Sequence, residues 1–278
     1  MIADTNHRAT MQKANHIELT LAFGVMLFVT STARADYSDR ALLAAFCDAG
    51  NIAGKTCKRA RGYPNAPKRG CDVTLTGDRV SGKFLGQGNP LLVASYESGC
   101  EAHATDNGGV AVFEQAGGAW AFRGFQPGMQ GNCIGVVRDA QQDWLVCLTG
   151  HMGQGIMETG VALMTFARGA KGIALSFDFL LRAEDTTGAF GANTVTCKEP
   201  PPKYVELDKL TAGPRPMTVG LDASWADAET FRTACGMGFE RPAEAIGDLV
   251  PGDAWVPDDR IGRGKVVVDL ATRKVAAQ

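Results

Sequence analysis

No C-x-x-C pair occurs in this sequence, which removes the usual dithiol redox and zinc-ribbon arrangements. The G-x-x-x-x-G-K-[ST] phosphate loop, the G-x-S-x-G nucleophile turn and the H-E-x-x-H zinc helix are also missing. Histidine is scarce: there are four, and His7 and His16 lie in a leader-like N-terminus. The remaining pair, His103 and His151, is too small for a three-histidine metal centre. Neither sign of charge dominates. Against 28 Lys and Arg stand 30 Asp and Glu, whereas a general nucleic-acid binder usually shows a basic excess. Beyond the leader no run stays apolar for the roughly 20 residues that a membrane-spanning helix needs. The expectation is therefore no nucleic-acid partner, no cofactor, no metal centre and no membrane span after the leader.

What is present begins with an export signal. Arg8 and Lys13 precede a largely apolar run, LTLAFGVMLFV (19–29), and STARA (31–35) follows with a small-x-small site at Ala33-Arg34-Ala35. Residues 1–35 read as a signal peptide, and the destination as periplasmic or secreted. All eight cysteines, Cys47, Cys57, Cys71, Cys100, Cys133, Cys147, Cys197 and Cys235, come after Ala35. An even set in an exported chain reads as disulfides. Proximity along the chain suggests Cys47–Cys57, Cys71–Cys100, Cys133–Cys147 and Cys197–Cys235.

Ser38 is placed to cap a helix in which Ala41, Leu42, Ala45 and Phe46 recur on one side. Gly50 stops it, and a short second helix is expected to follow, so that residues 36–70 form a helical N-terminal segment. From Cys71 the period changes to two. CDVTLTGDRVSGKFL (71–85) alternates Val73 and Leu75 with Thr74 and Thr76 and reads as a hairpin turning near Gly77-Asp78. PLLVASY (90–96) reads as a buried strand. GVAVFEQAGGAWAFRGF (109–125) is a hairpin about Gly117-Gly118, with Phe113 opposite Phe122 and Gln115 opposite Trp120. One of its faces carries Phe113, Trp120 and Phe122 toward a core. CIGVVRDAQQDWLVC (133–147) is a second hairpin, and a register symmetric about Ala140 sets Cys133 directly opposite Cys147. GVALMTF (160–166) and GIALSFDFL (172–180) form a third.

These pieces repeat. LLVAS (91–95) followed by GGVAVFEQ (108–115) matches WLVCL (144–148) followed by TGVALMTF (159–166). YVELDKLTAGPRPMTVGLDASW (204–225) repeats the first half of such a unit, and GKVVVDLATRKVAA (264–277) supplies the second half after an insertion around 226–263. A unit of about 50 residues with four short strands is the pattern of a propeller blade or a tandem sheet repeat. Residues 71–278 are accordingly read as an all-β domain of tandem four-stranded units, propeller-like or an irregular sandwich, behind the short α-helical N-terminal segment. The strand–turn–strand patterns of CIGVVRDAQQDWLVC and YVELDKLTAGPRPMTVGL resemble the blade-like FG-GAP and VCBS repeats of exported proteins, over roughly 90–278. That resemblance implies a propeller-like body. The acidic calcium loop of those repeats is reduced here to Asp139 and Asp143 in one turn and Asp208 in the other.

CLTGHMGQGIMETG (147–160) and SYESGCEAHATDNGG (95–109) fall in equivalent places, as connections between the second and third strands of their units. The first lacks the third glycine of a dinucleotide loop and carries Glu158 where a pyrophosphate would be repelled. Binding sites gather in loops at one end of a repeat fold, so His103, His151, Asp106 and Glu158 are the candidate ligand-binding residues. The plain alternative is two ordinary surface histidines. A second set of candidates is the carboxylates near the C-terminus, Asp222, Asp227, Glu229, Glu240, Glu244, Asp248, Asp253, Asp258 and Asp259. Glycoside hydrolysis needs two carboxylates facing one cleft, about 5–10 Å apart. Two functions follow: a non-catalytic binding or scaffold protein for a ligand or protein partner in the exported compartment, or a secreted hydrolase, acting on glycans, that uses paired carboxylates.

Overall fold

The computed structural model describes residues 38–64, 66–86, 88–100, 108–116, 119–153, 155–169, 172–186, 204–226 and 261–277. The expected signal peptide (1–35), His103, Asp106, Cys197, Cys235 and all but the ends of the expected 226–263 insertion lie outside the described residues.

The described chain opens with helix α1 (Asp39–Ala44), whose first turn is capped where expected: the Ser38 hydroxyl accepts from the Ala41 N–H. Leu42, Leu43 and Phe46 are buried beneath it. The expected second helix is instead a single 3-10 turn (Ala49–Asn51), followed by two short strands, β1 (Ile52–Ala53) and β2 (Thr56–Cys57). The Cys47–Cys57 disulfide closes this segment. It leaves no room for another full helical turn before Cys57 must return. Arg79 reaches back to pair with Asp39 in the first turn of α1, and Lys55 lies 3.8 Å from the same carboxylate.

Strand β3 (Val73–Gly82) corrects a second expectation. The stretch 71–85 holds one long strand over Val73–Gly82, not a hairpin. Its partner is β4 (Leu91–Ser98), and the register slips between Leu75↔Tyr96 and Arg79↔Ala94. Gly77, at φ +107°, lies in the bulge that absorbs the extra residues. The turn-like Gly-Asp pair therefore bends the strand without reversing it. β5 (Gly108–Ala116) and β6 (Ala119–Pro127) follow with the expected pairing, Phe113↔Phe122 and Gln115↔Trp120. The first sheet runs β1-β2-β3-β4-β5-β6, antiparallel throughout.

The second sheet is a meander of β7 (Met129–Val137), β8 (Asp143–Gly153), β9 (Ile156–Gly169) and β10 (Gly172–Asp185). Cys133 stands opposite Cys147 and the two are bonded, with 4.0 Å between Cα atoms. At the β7–β8 tip the Asp139 carboxylate accepts from the N–H groups of Gln141 and Gln142, the local bonding that makes Asp a turn residue. Asp143 accepts from the Lys83 N–H at 2.8 Å. Both aspartates of the shortened acidic loop thus bind backbone. The third sheet, β11 (Val205–Ala212), β12 (Thr218–Ala226), β13 (Ile261–Asp269) and β14 (Val275–Ala277), repeats the meander at the expected positions.

The three sheets stack face to face. On the outer face of the first, α1 and the aromatic group Phe46, Tyr63, Tyr96, Phe113 and Phe125 form one core. Leu91, Val93, Val110 and Val112 of the first sheet meet Leu145, Cys147, Met164 and Phe166 of the second. The opposite face of the second, Val146, Leu148, Val161 and Leu163, meets Leu207, Leu210, Val219 and Leu221 of the third. Central strands buried on both faces explain why β4 and β8 read as continuous apolar runs. A charge cluster joins the first two sheets. The Glu114 carboxylate, 5% exposed, bonds to Arg123 on the neighbouring strand at 2.8 Å and to Arg168 of the second sheet. Those bonds, the one from Arg168 foremost, hold the Glu114 carboxyl below its ordinary pKa.

Candidate functional site

A cleft of about 330 Å³ opens where the chain passes from the first sheet to the second. Only Gly128 separates β6 from β7, and Gln126, Pro127 and Gly128 form one wall with Pro64. The opposite wall is the end of the second sheet: Thr149 and His151 from β8, Glu158 from β9, and Phe177, Phe179 and Arg182 from β10.

Strand register explains the convergence. His151 pairs with Glu158, and Glu158 with Glu184, making one row across three strands. Two residues along, Thr149 pairs with Gly160, and Gly160 with Arg182, making the next. Side chains at these positions share one face because alternation along each strand has a period of two. A bulge between Phe179 and Leu181 re-phases β10, so Arg182 joins the same face as Phe177 and Phe179. The Arg182 guanidinium stacks 3.8 Å above the Phe179 ring, and Phe177 packs edge-on to Phe179.

The polar side chains of this wall are open to solvent at His151, Glu158 and Arg182. Among the described residues, Arg182 makes no ion pair, and His151 and Glu158 bond neither to each other nor to a neighbour. Thr149 is 6% exposed, yet its hydroxyl also has no hydrogen-bond partner there. That hydroxyl oxygen opens onto the cleft, where a ligand or water can reach it. The Thr159 hydroxyl is orphaned too, but alternation places that side chain on the other face from Glu158.

Two of the four candidates thus come together: His151 and Glu158 face each other on paired strands in one cleft. The connection holding them is shorter than expected, because β8 and β9 run on to Gly153 and Ile156 and both residues sit on strands. Thr149, Phe177, Phe179 and Arg182 were not legible as site residues. The one available signal was the spacing of Phe177 and Phe179 on a strand, and the bulge that adds Arg182 has no sequence mark. Of the C-terminal carboxylates only Asp222 is described, and it pairs with Lys265 at 2.8 Å, away from the cleft. A separate acidic group lies at the start of the third sheet. Burial, and then the neighbouring Asp208, push the Glu206 carboxyl above its ordinary pKa, with the Tyr204 hydroxyl 3.3 Å away.

A scan against protein-family models, a search of curated proteins and a search of solved structures each return no match to this chain.

Proposed function

We propose that this chain is an exported, disulfide-stabilised binding protein, in which tandem four-stranded, propeller-like units carry a small-ligand cleft between the first and second. The observation that carries the reading is the convergence of Arg182, His151, Glu158 and Thr149, whose side chains make no hydrogen bond or ion pair among the described residues, on a cleft walled by two phenylalanines and two prolines. A mostly apolar concavity with a few unsatisfied polar groups is the usual form of a small-molecule site. Export is supported by the 19–29 apolar run, the Ala33-Arg34-Ala35 site and the three disulfides. The four-stranded meanders fit the tandem-repeat reading.

Binding is favoured over glycan hydrolysis because, among the described lining residues, Glu158 is the one carboxylate. The reading is tested by melting the processed protein against a panel of small amino acids, sugars, nucleotides and divalent metals. A ligand at 100 times its dissociation constant adds about 2.7 kcal/mol of stability. That shift is expected for one ligand class and is expected to vanish in the His151→Ala/Arg182→Ala variant. A panel without any shift, or one unaffected by that variant, overturns it. Sequencing the exported protein should find Asp36 at its N-terminus.

A further inference from the structure

The cleft is dipolar. Its first row, His151–Glu158–Glu184, brings the Glu158 carboxylate to the cleft lining, and its second, Thr149–Gly160–Arg182, brings one guanidinium. Arg182 and Glu158 are diagonal neighbours, and such positions on adjacent strands lie about 7–8 Å apart. They form no ion pair with each other. Stacking on Phe179 accounts for this, because it holds the guanidinium over the ring instead of letting it swing to the carboxylate. The stacked cation and the exposed carboxylate therefore stay separate, both open to the cleft, with Phe177, Pro64 and Pro127 beside them.

We propose that the ligand is a free α-amino acid with an apolar side chain. The inference rests on the cleft being a binding site. The α-carboxylate is received by Arg182, whose planar fork suits bidentate carboxylate bonding, with the Thr149 hydroxyl adding a donor. The α-ammonium is received by Glu158, and the side chain lies against Phe177 and the prolines. A ligand with only an anion leaves Glu158 unanswered, and one with only a cation leaves Arg182 unanswered. The volume, near the lower end for ligand pockets, fits one small molecule.

The test is calorimetric titration of the processed protein with L-phenylalanine, its N-acetyl form, its amide and its doubly capped form, beside glucuronate and glucose. Phenylalanine should bind at least about tenfold more tightly than either singly capped form, a difference of about 1.4 kcal/mol. Arg182→Gln should abolish the preference for the free acid over the amide and leave the preference for the free amine. Glu158→Gln should do the reverse. Equal affinity for capped and uncapped forms overturns the zwitterion while the cleft stands. So does binding of glucuronate or glucose with no response to the phenylalanine series. Silence from every probe in titration and in the melting panel overturns both readings.

Discussion

Gly160 offers the sharpest test of the cleft's construction, because two effects of opposite sign compete there. Replacing a glycine by alanine normally stabilises by about 0.4–1 kcal/mol, through the unfolded chain, when the native backbone accepts a side chain. Gly160 is not in the left-handed region, so its backbone accepts one. Space does not. A Cβ would sit 2.8 Å from the Thr149 hydroxyl oxygen, 2.9 Å from the Leu181 carbonyl oxygen and 3.2 Å from a Phe179 ring carbon. The hydroxyl can rotate away. The carbonyl cannot, since it is backbone at the β10 bulge. Overpacking of this kind costs about 1–3 kcal/mol, more than the entropic gain. Gly160→Ala should therefore lower the thermal midpoint by roughly 2–8 °C, given about 2–4 °C per kcal/mol for a chain of this size. It should weaken ligand binding as well, because Thr149 and Phe179 both yield. Gly50→Ala is the control: nothing lies within 4 Å of its added Cβ, and the midpoint should hold or rise. An unchanged or raised midpoint for Gly160→Ala refutes the placement of the bulge against the cleft.

Removing the hairpin staple with Cys133→Ala/Cys147→Ala opens a loop of about 15 residues and should cost about 3 kcal/mol by urea unfolding; a loss below about 1 kcal/mol contradicts the chain-entropy account. Glu114 titrates below its ordinary value in the fold, so the unfolded chain binds more protons than the native one between that value and 4.5. Its stabilisation is full above pH 4.5 and is lost as pH falls through the folded pKa. Glu114→Gln should flatten that acid slope and lower stability at neutral pH. Glu206 has the opposite sign. Its raised pKa means the native state holds the proton longer, so stability falls as pH rises from 4.5 through the folded value. Glu206→Gln should raise the melting midpoint at pH 7 and leave it little changed at pH 4. A lower midpoint at pH 7 would show that the charged form is the one the fold favours.

The sequence by itself determined the strand pairing wherever a tight turn or a cysteine pair set the register. Phe113↔Phe122 and Cys133↔Cys147 follow from counting outward from a two-residue turn or from a symmetric hairpin, and the doubly apolar runs of β4 and β8 announce burial on both faces. The three nearest-neighbour disulfides and the split third unit followed in the same way, because each is local or periodic. Local rules also misled where a residue type has two uses. Gly77-Asp78 serves a bulge as readily as a turn, and only the partner strand β4 decides between them. The cleft was half legible: His151 and Glu158 are visible as a polar pair flanking a glycine-rich turn. Arg182 enters their face through a bulge one strand away, Pro127 comes from the first sheet, and Pro64 from the loop between β2 and β3. Those placements depend on how sheets stack and where a register slips. Contacts between distant parts of the chain decide both, and the tertiary structure alone displays them.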